Sequence, residues 1–215
     1  AWEALRAGWP ALPAEHPQRG RKTPPAAAAL LLRDNLRHRH DIERAYLKSI
    51  AQARREILIA NAYFIPGRKL HRALTLAAAR GVRVRLLLHG KYEHFLQYHA
   101  ARTVYQRLLE AGIEIHEYVP SALHAKVAVV DGSWATVGST NLDPLSLLMA
   151  REANVVTRDP GFARGLRQRL DHLLHTAGVR IEREQLSLRP WRQRLLDRVA
   201  YVIMRAMLLL LGQRY

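Results

Sequence analysis

Asp131–Gly132 stands between two apolar runs, 123–130 and 133–139. An Asp-Gly pair flanked in this way is a strong hairpin signal, because the tight turn joining two antiparallel strands favours residues that accept positive φ. The pair commits this stretch to two paired strands, and the chain around it to a sheet. Side chains two apart on a strand point to the same face. His124 and Lys126 therefore share a face near the start of the first strand, on a run that is otherwise apolar. Gly138, Ser139, Thr140 and Asn141 lie at the end of the second. A hairpin brings those two ends together, so an imidazole, an ammonium, a hydroxyl and a carboxamide converge on one small volume. Three of these are donors suited to phosphate oxygens. The fourth, neutral imidazole, can act as a nucleophile toward phosphorus. Gly138 would allow close approach of a ligand or of backbone.

The rest of the chain alternates helix and strand patterns. Helical spacing runs over 42–55, 66–80, 94–111 and 160–176, and strands are predicted at 56–64, 82–89, 113–118 and 151–157. Such alternation argues an α/β fold with a mixed β-sheet flanked by helices. Pro10, Pro13, Pro17, Pro24 and Pro25 break any element early in the chain, so residues 1–29 are expected to be a linker or flexible arm. The α/β domain is expected over 30–184, followed by a tail over 185–215. Within that tail, residues 199–211 are apolar apart from Arg205. A spanning helix needs about 20 residues. This run is shorter and follows several arginines, so an amphipathic helix lying at a membrane surface is expected.

Lys and Arg number 34 against 18 Asp and Glu, a formal net charge of +16. That balance points to an anionic partner: nucleic acid, anionic lipid or a phosphorylated substrate. The chain has no cysteine, which excludes disulfides, thiolate metal sites and cysteine nucleophiles. His172 and His175 lie three apart, but no carboxylate cluster accompanies them, and no metal site is expected.

His124-x-Lys126, four residues, Asp131, six residues, then Gly138-Ser139-x-Asn141 resembles the signature of the phospholipase D superfamily. The stretches NAYFIPGRKLHRAL, AARGVRVRLLL, LLEAGIEIHEY and GSTNLDPLSLLMAREANVV are similar to the C-terminal half of bacterial cardiolipin synthases. The resemblance implies a phospholipase D-like fold and phosphatidyl transfer between an anionic phospholipid and an alcohol acceptor, with no cofactor. One histidine would form a phosphohistidine. A second would protonate the leaving alkoxide and then deprotonate the incoming alcohol. Lysines and asparagines would hold the phosphate oxygens where charge develops. His124 suits either histidine role. Members of this group usually carry two signatures per chain. This chain carries one, so its second half-site is expected from a preceding domain or a second copy. The implied location is peripheral, on the cytoplasmic face of a bacterial inner membrane.

The resemblance places His124, Lys126, Asp131, Ser139 and Asn141 in the site. Asp131, however, lies about 23 Å along a straight strand from His124 at ~3.3 Å per residue, and is expected to fix the turn or a neighbouring charge. Glu152 is expected to accept the His124 ring N–H and set its tautomer. Tyr63 and Phe64, after a buried strand, and Lys91, after the next, are candidates for contact with lipid. Two other functions fit: a phosphodiesterase or nuclease active as a homodimer, for which nucleic acid would be the partner, and a non-catalytic half that only binds membrane.

Overall fold

The computed structural model of the chain describes residues 28–91 and 95–210. One eight-stranded mixed sheet organises them, in the order β1-β7-β6-β5-β2-β3-β4-β8. The strands are β1 (Ala28–Arg33), β2 (Glu56–Asn61), β3 (Arg83–His89), β4 (Glu114–Tyr118), β5 (Lys126–Val130), β6 (Trp134–Gly138), β7 (Glu152–Thr157) and β8 (Gly178–Arg180). β2, β3 and β4 run parallel, and every other pairing is antiparallel. The central strands are apolar on both faces because both faces are covered: Ile57, Leu58, Ile59 and Ala60 of β2 are all fully buried.

Three helices cover one face: α1 (Asp41–Gln52), α2 (Arg68–Ala79) and α3 (Phe95–Glu110). Their buried residues recur at helical spacing, as Ile42, Tyr46 and Ile50 on α1 and Leu70, Leu74 and Ala77 on α2. The short α4 (Pro144–Leu148) precedes β7, and α5 (Pro160–Ala177) covers the opposite face through Ala163, Leu170 and Leu174. Gly81 and Gly112 follow α2 and α3 with φ of +85° and +80°. In each case the next residue donates to a carbonyl five back, as Val82 does to Ala77 and Ile113 to Leu108, both at 3.1 Å.

Three expectations change. Ala28 and Ala29, predicted within the arm, belong to β1, which pairs with β7; residues 1–27 lie outside the described residues. The predicted strand at 56–64 stops at Asn61, and the predicted start of β5 at residue 123 moves to Lys126. The tail forms α6 (Arg183–Ser187) and α7 (Trp191–Leu210), and α7 lies against α3 of the same chain. Its inner face carries Asp197, Ala200, Tyr201 and Met204, while Leu195, Val199 and Val202 remain exposed on the other. Among the described residues, no helix is long and apolar enough to cross a membrane.

Candidate active site

β2, β3 and β6 end at one edge of the sheet, where β5 and β7 begin. This edge gathers the signature. Lys126 pairs in register with Asn61, the last residue of β2. Ahead of it, the Ala62 N–H donates to the Ala125 carbonyl at 2.9 Å, holding the segment that carries His124 against the sheet. His124 is exposed, whereas Lys126 is 6% exposed. The Lys126 Nζ lies 3.4 Å from His124 Nδ1 and 3.2 Å from Nε2. Burial lowers the Lys126 pKa, against the opposing pull of the Glu152 and Asp143 carboxylates. A desolvated ammonium beside an exposed imidazole is a strong electrostatic trap for a phosphate.

The Gly138–Asn141 loop is held by two asparagines that are both fully buried. Asn61 Oδ1 accepts the Leu142 N–H at 3.2 Å. Asn154 Oδ1 accepts the Thr140 hydroxyl at 2.7 Å, and Asn154 Nδ2 donates to the Thr136 hydroxyl at 3.1 Å. Gly138 answers to this packing. A Cβ there would lie 2.3 Å from Asn154 Oδ1 and 2.4 Å from the Ala153 carbonyl oxygen, so the close approach that glycine permits is to protein. With the loop fixed, Asn141 Oδ1 is buried and has no hydrogen-bond partner among the described residues.

Ser139 Oγ donates to the Glu152 carboxylate and accepts the Ala153 N–H at 3.1 Å. This corrects the expectation for Glu152. It engages Ser139, and no hydrogen bond joins it to His124. Its carboxylate acts on the site through Ser139 and through its charge on Lys126.

Asp131 is not brought to the site. It sits in the turn at the far end of the hairpin with φ +53°, and the Ser133 N–H closes that turn on the Val130 carbonyl at 3.1 Å. Its carboxylate accepts the backbone N–H groups of Arg54 at 2.9 Å, Arg55 at 2.8 Å and Glu56 at 2.9 Å, binding the turn to the start of β2. Burial pushes its pKa up, but those backbone bonds and the Arg55 charge outweigh it and hold the carboxyl below its ordinary value.

Tyr63, Phe64 and Lys91 border one cleft beside the site. Phe64 is 3% exposed and belongs to the core, so packing accounts for it rather than lipid contact. Sequence reasoning missed Asn61, Asn154, Asp143 and Arg33. Asp143 is buried and accepts the Ser146 N–H at 3.0 Å, capping α4. Arg33, 3% exposed, donates to the carbonyls of Leu147 and Ala150 and fixes the segment leading into Glu152. The readable signal was polarity: Asn61, Asn154 and Arg33 interrupt or end apolar strand runs.

The family model described as "Cardiolipin synthase, PLD-like domain" matches residues 46–174, which include the whole signature. The chain belongs to this family. Cardiolipin synthase B of Escherichia coli O6:H1 is 45% identical over 166 residues, an alignment covering 77% of this chain and 40% of that protein. The chain thus spans about two-fifths of that relative's length. Among solved structures, a phosphatidylserine synthase from Haemophilus influenzae aligns with a TM-score of 0.65 at 14% identity, over 84% of this chain and 46% of that one. Nuc from Salmonella typhimurium, a phospholipase D family member, aligns with a TM-score of 0.61 at 19% identity, over 73% of this chain and 99% of that one. These structural likenesses show that the mixed sheet and its flanking helices are the phospholipase D fold. In this cardiolipin synthase-like domain, the signature residues other than Asp131 meet at the edge where β5 and β7 begin.

Proposed function

We propose that this chain supplies one half-site of a phosphatidyltransferase of the cardiolipin synthase type, with His124 as its reacting histidine. The observation that carries the reading is the desolvated Lys126 ammonium within 3.2 Å of the exposed His124 ring. As nucleophile, a neutral His124 nitrogen attacks the phosphorus of the donor phospholipid. The P–N bond forms, the P–O bond to the departing alcohol breaks, and the leaving oxygen takes a proton from a second histidine. The acceptor hydroxyl then returns its proton to that second histidine and attacks phosphorus, and the P–N bond breaks. With the two roles exchanged, His124 handles the protons. Lys126 and Asn141 face the phosphate oxygens in either case, and Ser139 ties Glu152 beside them.

The chemistry needs two histidines on opposite sides of one phosphorus, and the sequence holds one His-x-Lys followed by Gly-Ser-x-Asn. A second half, from another part of a longer protein or from another copy, completes the site. Exposed Leu195, Val199, Val202 and Ile203 on α7, accompanied by Arg194 and Arg198, support peripheral seating on anionic membrane. Transfer of a labelled phosphatidyl group to an alcohol, compared between the parent chain and a folded His124→Ala variant, tests the reading. A folded variant retaining more than a few per cent of the parent rate would remove His124 from it.

A further inference from the structure

The groove where α3, α6 and α7 meet holds two adjoining hollows, enclosing about 800 Å³ and 350 Å³ with their open mouths included. Thr103, Gln106 and Arg198 line both. Arg107, Glu110 and Tyr201 lie on the walls of the larger, and Arg102, Arg189, Arg194 and Asp197 on those of the smaller. No residue of the signature lines either.

The charge in this groove is one-sided. Both carboxylates on its walls are engaged within the chain. Asp197 receives His99 Nδ1 at 2.6 Å and Arg189 at 3.3 Å, and Glu110 accepts the Gln106 amide at 3.2 Å. Arg102 pairs with Glu117 at 2.7 Å. Among the described residues, no ion pair engages Arg107, Arg194 or Arg198. Arg107 reaches across the groove to the Tyr201 ring, 6.0 Å from its centroid. The Thr103 hydroxyl is buried and has no hydrogen-bond partner among the described residues. Guanidinium groups gathered without free carboxylates raise the local positive potential, and a buried hydroxyl left unpaired is costly. An anion with several acceptor oxygens answers both.

We propose that this groove binds the phosphate of an anionic phospholipid headgroup, at a site separate from the signature. The assignment rests on the peripheral seating of α7 given above. Arg194, Arg198 and Tyr201 recur at helical spacing and face the groove. Leu195, Val199 and Val202 follow one position on, and all three are exposed. A basic stripe and an apolar stripe thus lie side by side on one helix. Val202 joins them, since it lines the larger hollow while 61% exposed. A phospholipid matches that pairing. Its phosphate oxygens take the guanidinium and Thr103 donors, and its acyl chains continue over the apolar stripe. A nucleic acid would satisfy the arginines and leave the apolar stripe in water. One bound lipid fixes how α7 is turned against the surface, which diffuse charge does not.

Two measurements on the parent chain and two single variants test this. Arg198→Gln removes a groove arginine, and Arg192→Gln removes the same charge from the same helix outside the groove; both residues are exposed. The Thr103 methyl resonance should move saturably with glycerophosphoglycerol and not with glycerol. Arg198→Gln should weaken that binding about tenfold, and Arg192→Gln by less than about twofold. No movement in the parent, or equal weakening in the two variants, overturns the proposal. Partitioning onto phosphatidylglycerol vesicles should follow the same order. Vesicle binding that both variants weaken equally overturns the proposal and leaves the seating of α7 in place. A parent whose Thr103 methyl answers the headgroup but which ignores the vesicles contradicts that seating and the lipid source, while upholding a phosphodiester site. A DNA duplex that displaces the vesicles, and that Arg198→Gln weakens more than Arg192→Gln does, overturns the lipid assignment.

Discussion

Asn154 Oδ1 accepts the Thr140 hydroxyl at 2.7 Å and occupies the space that a side chain at position 138 would need. One buried carboxamide thus sets both the path of the loop and the requirement for glycine at its start. Gly138→Ala should therefore distort the loop, since the nearest obstacles include a backbone carbonyl that cannot rotate away. Asn154→Leu should leave the Thr140 hydroxyl unpaired at a cost of about 1–3 kcal/mol. Thermal unfolding alongside transfer assays checks both. A Gly138→Ala protein that melts and turns over like the parent would refute this account of the loop.

Lys126 gives a pH signature. Burial lowers its pKa by more than Glu152 and Asp143 raise it. The folded chain therefore releases this proton at a lower pH than the unfolded chain does. Between those two values the unfolded chain holds more protons, so the lysine's contribution to stability rises with pH. Phosphate binding loses its ammonium across the same window. Transfer should decline on the alkaline side below 10.5, the ordinary lysine value, while melting temperature does not decline with it for this reason. A rate profile flat up to that value would contradict the assignment of Lys126 to the phosphate.

Asp131 works in the opposite direction and on the fold alone. Its carboxyl is held below the ordinary value of 3.8. Its stabilising effect is complete above that value and is lost as pH falls through the lower folded-state value. Asp131→Asn removes a charged acceptor from three backbone N–H groups, with an expected loss of about 1–3 kcal/mol at neutral pH. Denaturant melts at pH 7 and in acid should show the gap between parent and variant narrowing as the parent's own carboxylate protonates. A gap that widens in acid would contradict this role.

Much of this architecture was legible before any coordinates. Lys126, Ser139 and Asn141 follow from one hairpin, and β2 and β3 from apolar runs between helical patterns. Other features depended on partners distant in sequence. Ala28 and Ala29 read as the end of a proline-rich arm until β7 is available to pair with them. Asn61 and Asn154 look like interruptions until the loop they hold is placed. Glu152 stands two residues from Ala150 in both sequence and fold, but its turn toward Ser139 follows from the register of β6 against β7. The inner face of α7 was hidden by the arginines around it.

That inner face makes a testable latch. Asp197, 5% exposed, receives His99 Nδ1 at 2.6 Å and Arg189 at 3.3 Å, joining α7 to α3. Asp197→Ala removes the carboxylate that joins buried His99 to half-buried Arg189, at a cost of about 1–3 kcal/mol. The variant should melt earlier, and hydrogen exchange should rise in α7 before it rises in β2. Uniform exchange across both elements would contradict a local latch.

The outer face of α7 predicts membrane behaviour. Val202→Asp with Ile203→Asp should weaken partitioning onto anionic vesicles without lowering the melting temperature, since both residues are exposed. Binding by the parent should fall with added salt, because basic residues near such a surface contribute about 1 kcal/mol each and are screened. Vesicle binding unaltered in the double variant would dismiss α7 as the membrane contact.

The most direct test of the central claim is phosphatidyl transfer measured against chain concentration, with oligomeric state recorded by sedimentation in the same buffer. The half-site account predicts that the parent transfers a labelled phosphatidyl group to alcohol only where two halves are assembled, so specific activity rises with the assembled fraction. It also predicts that His124→Ala, assembled to the same extent, retains at most a few per cent of that rate. Full turnover by a monomer or substantial turnover by assembled His124→Ala would each contradict it.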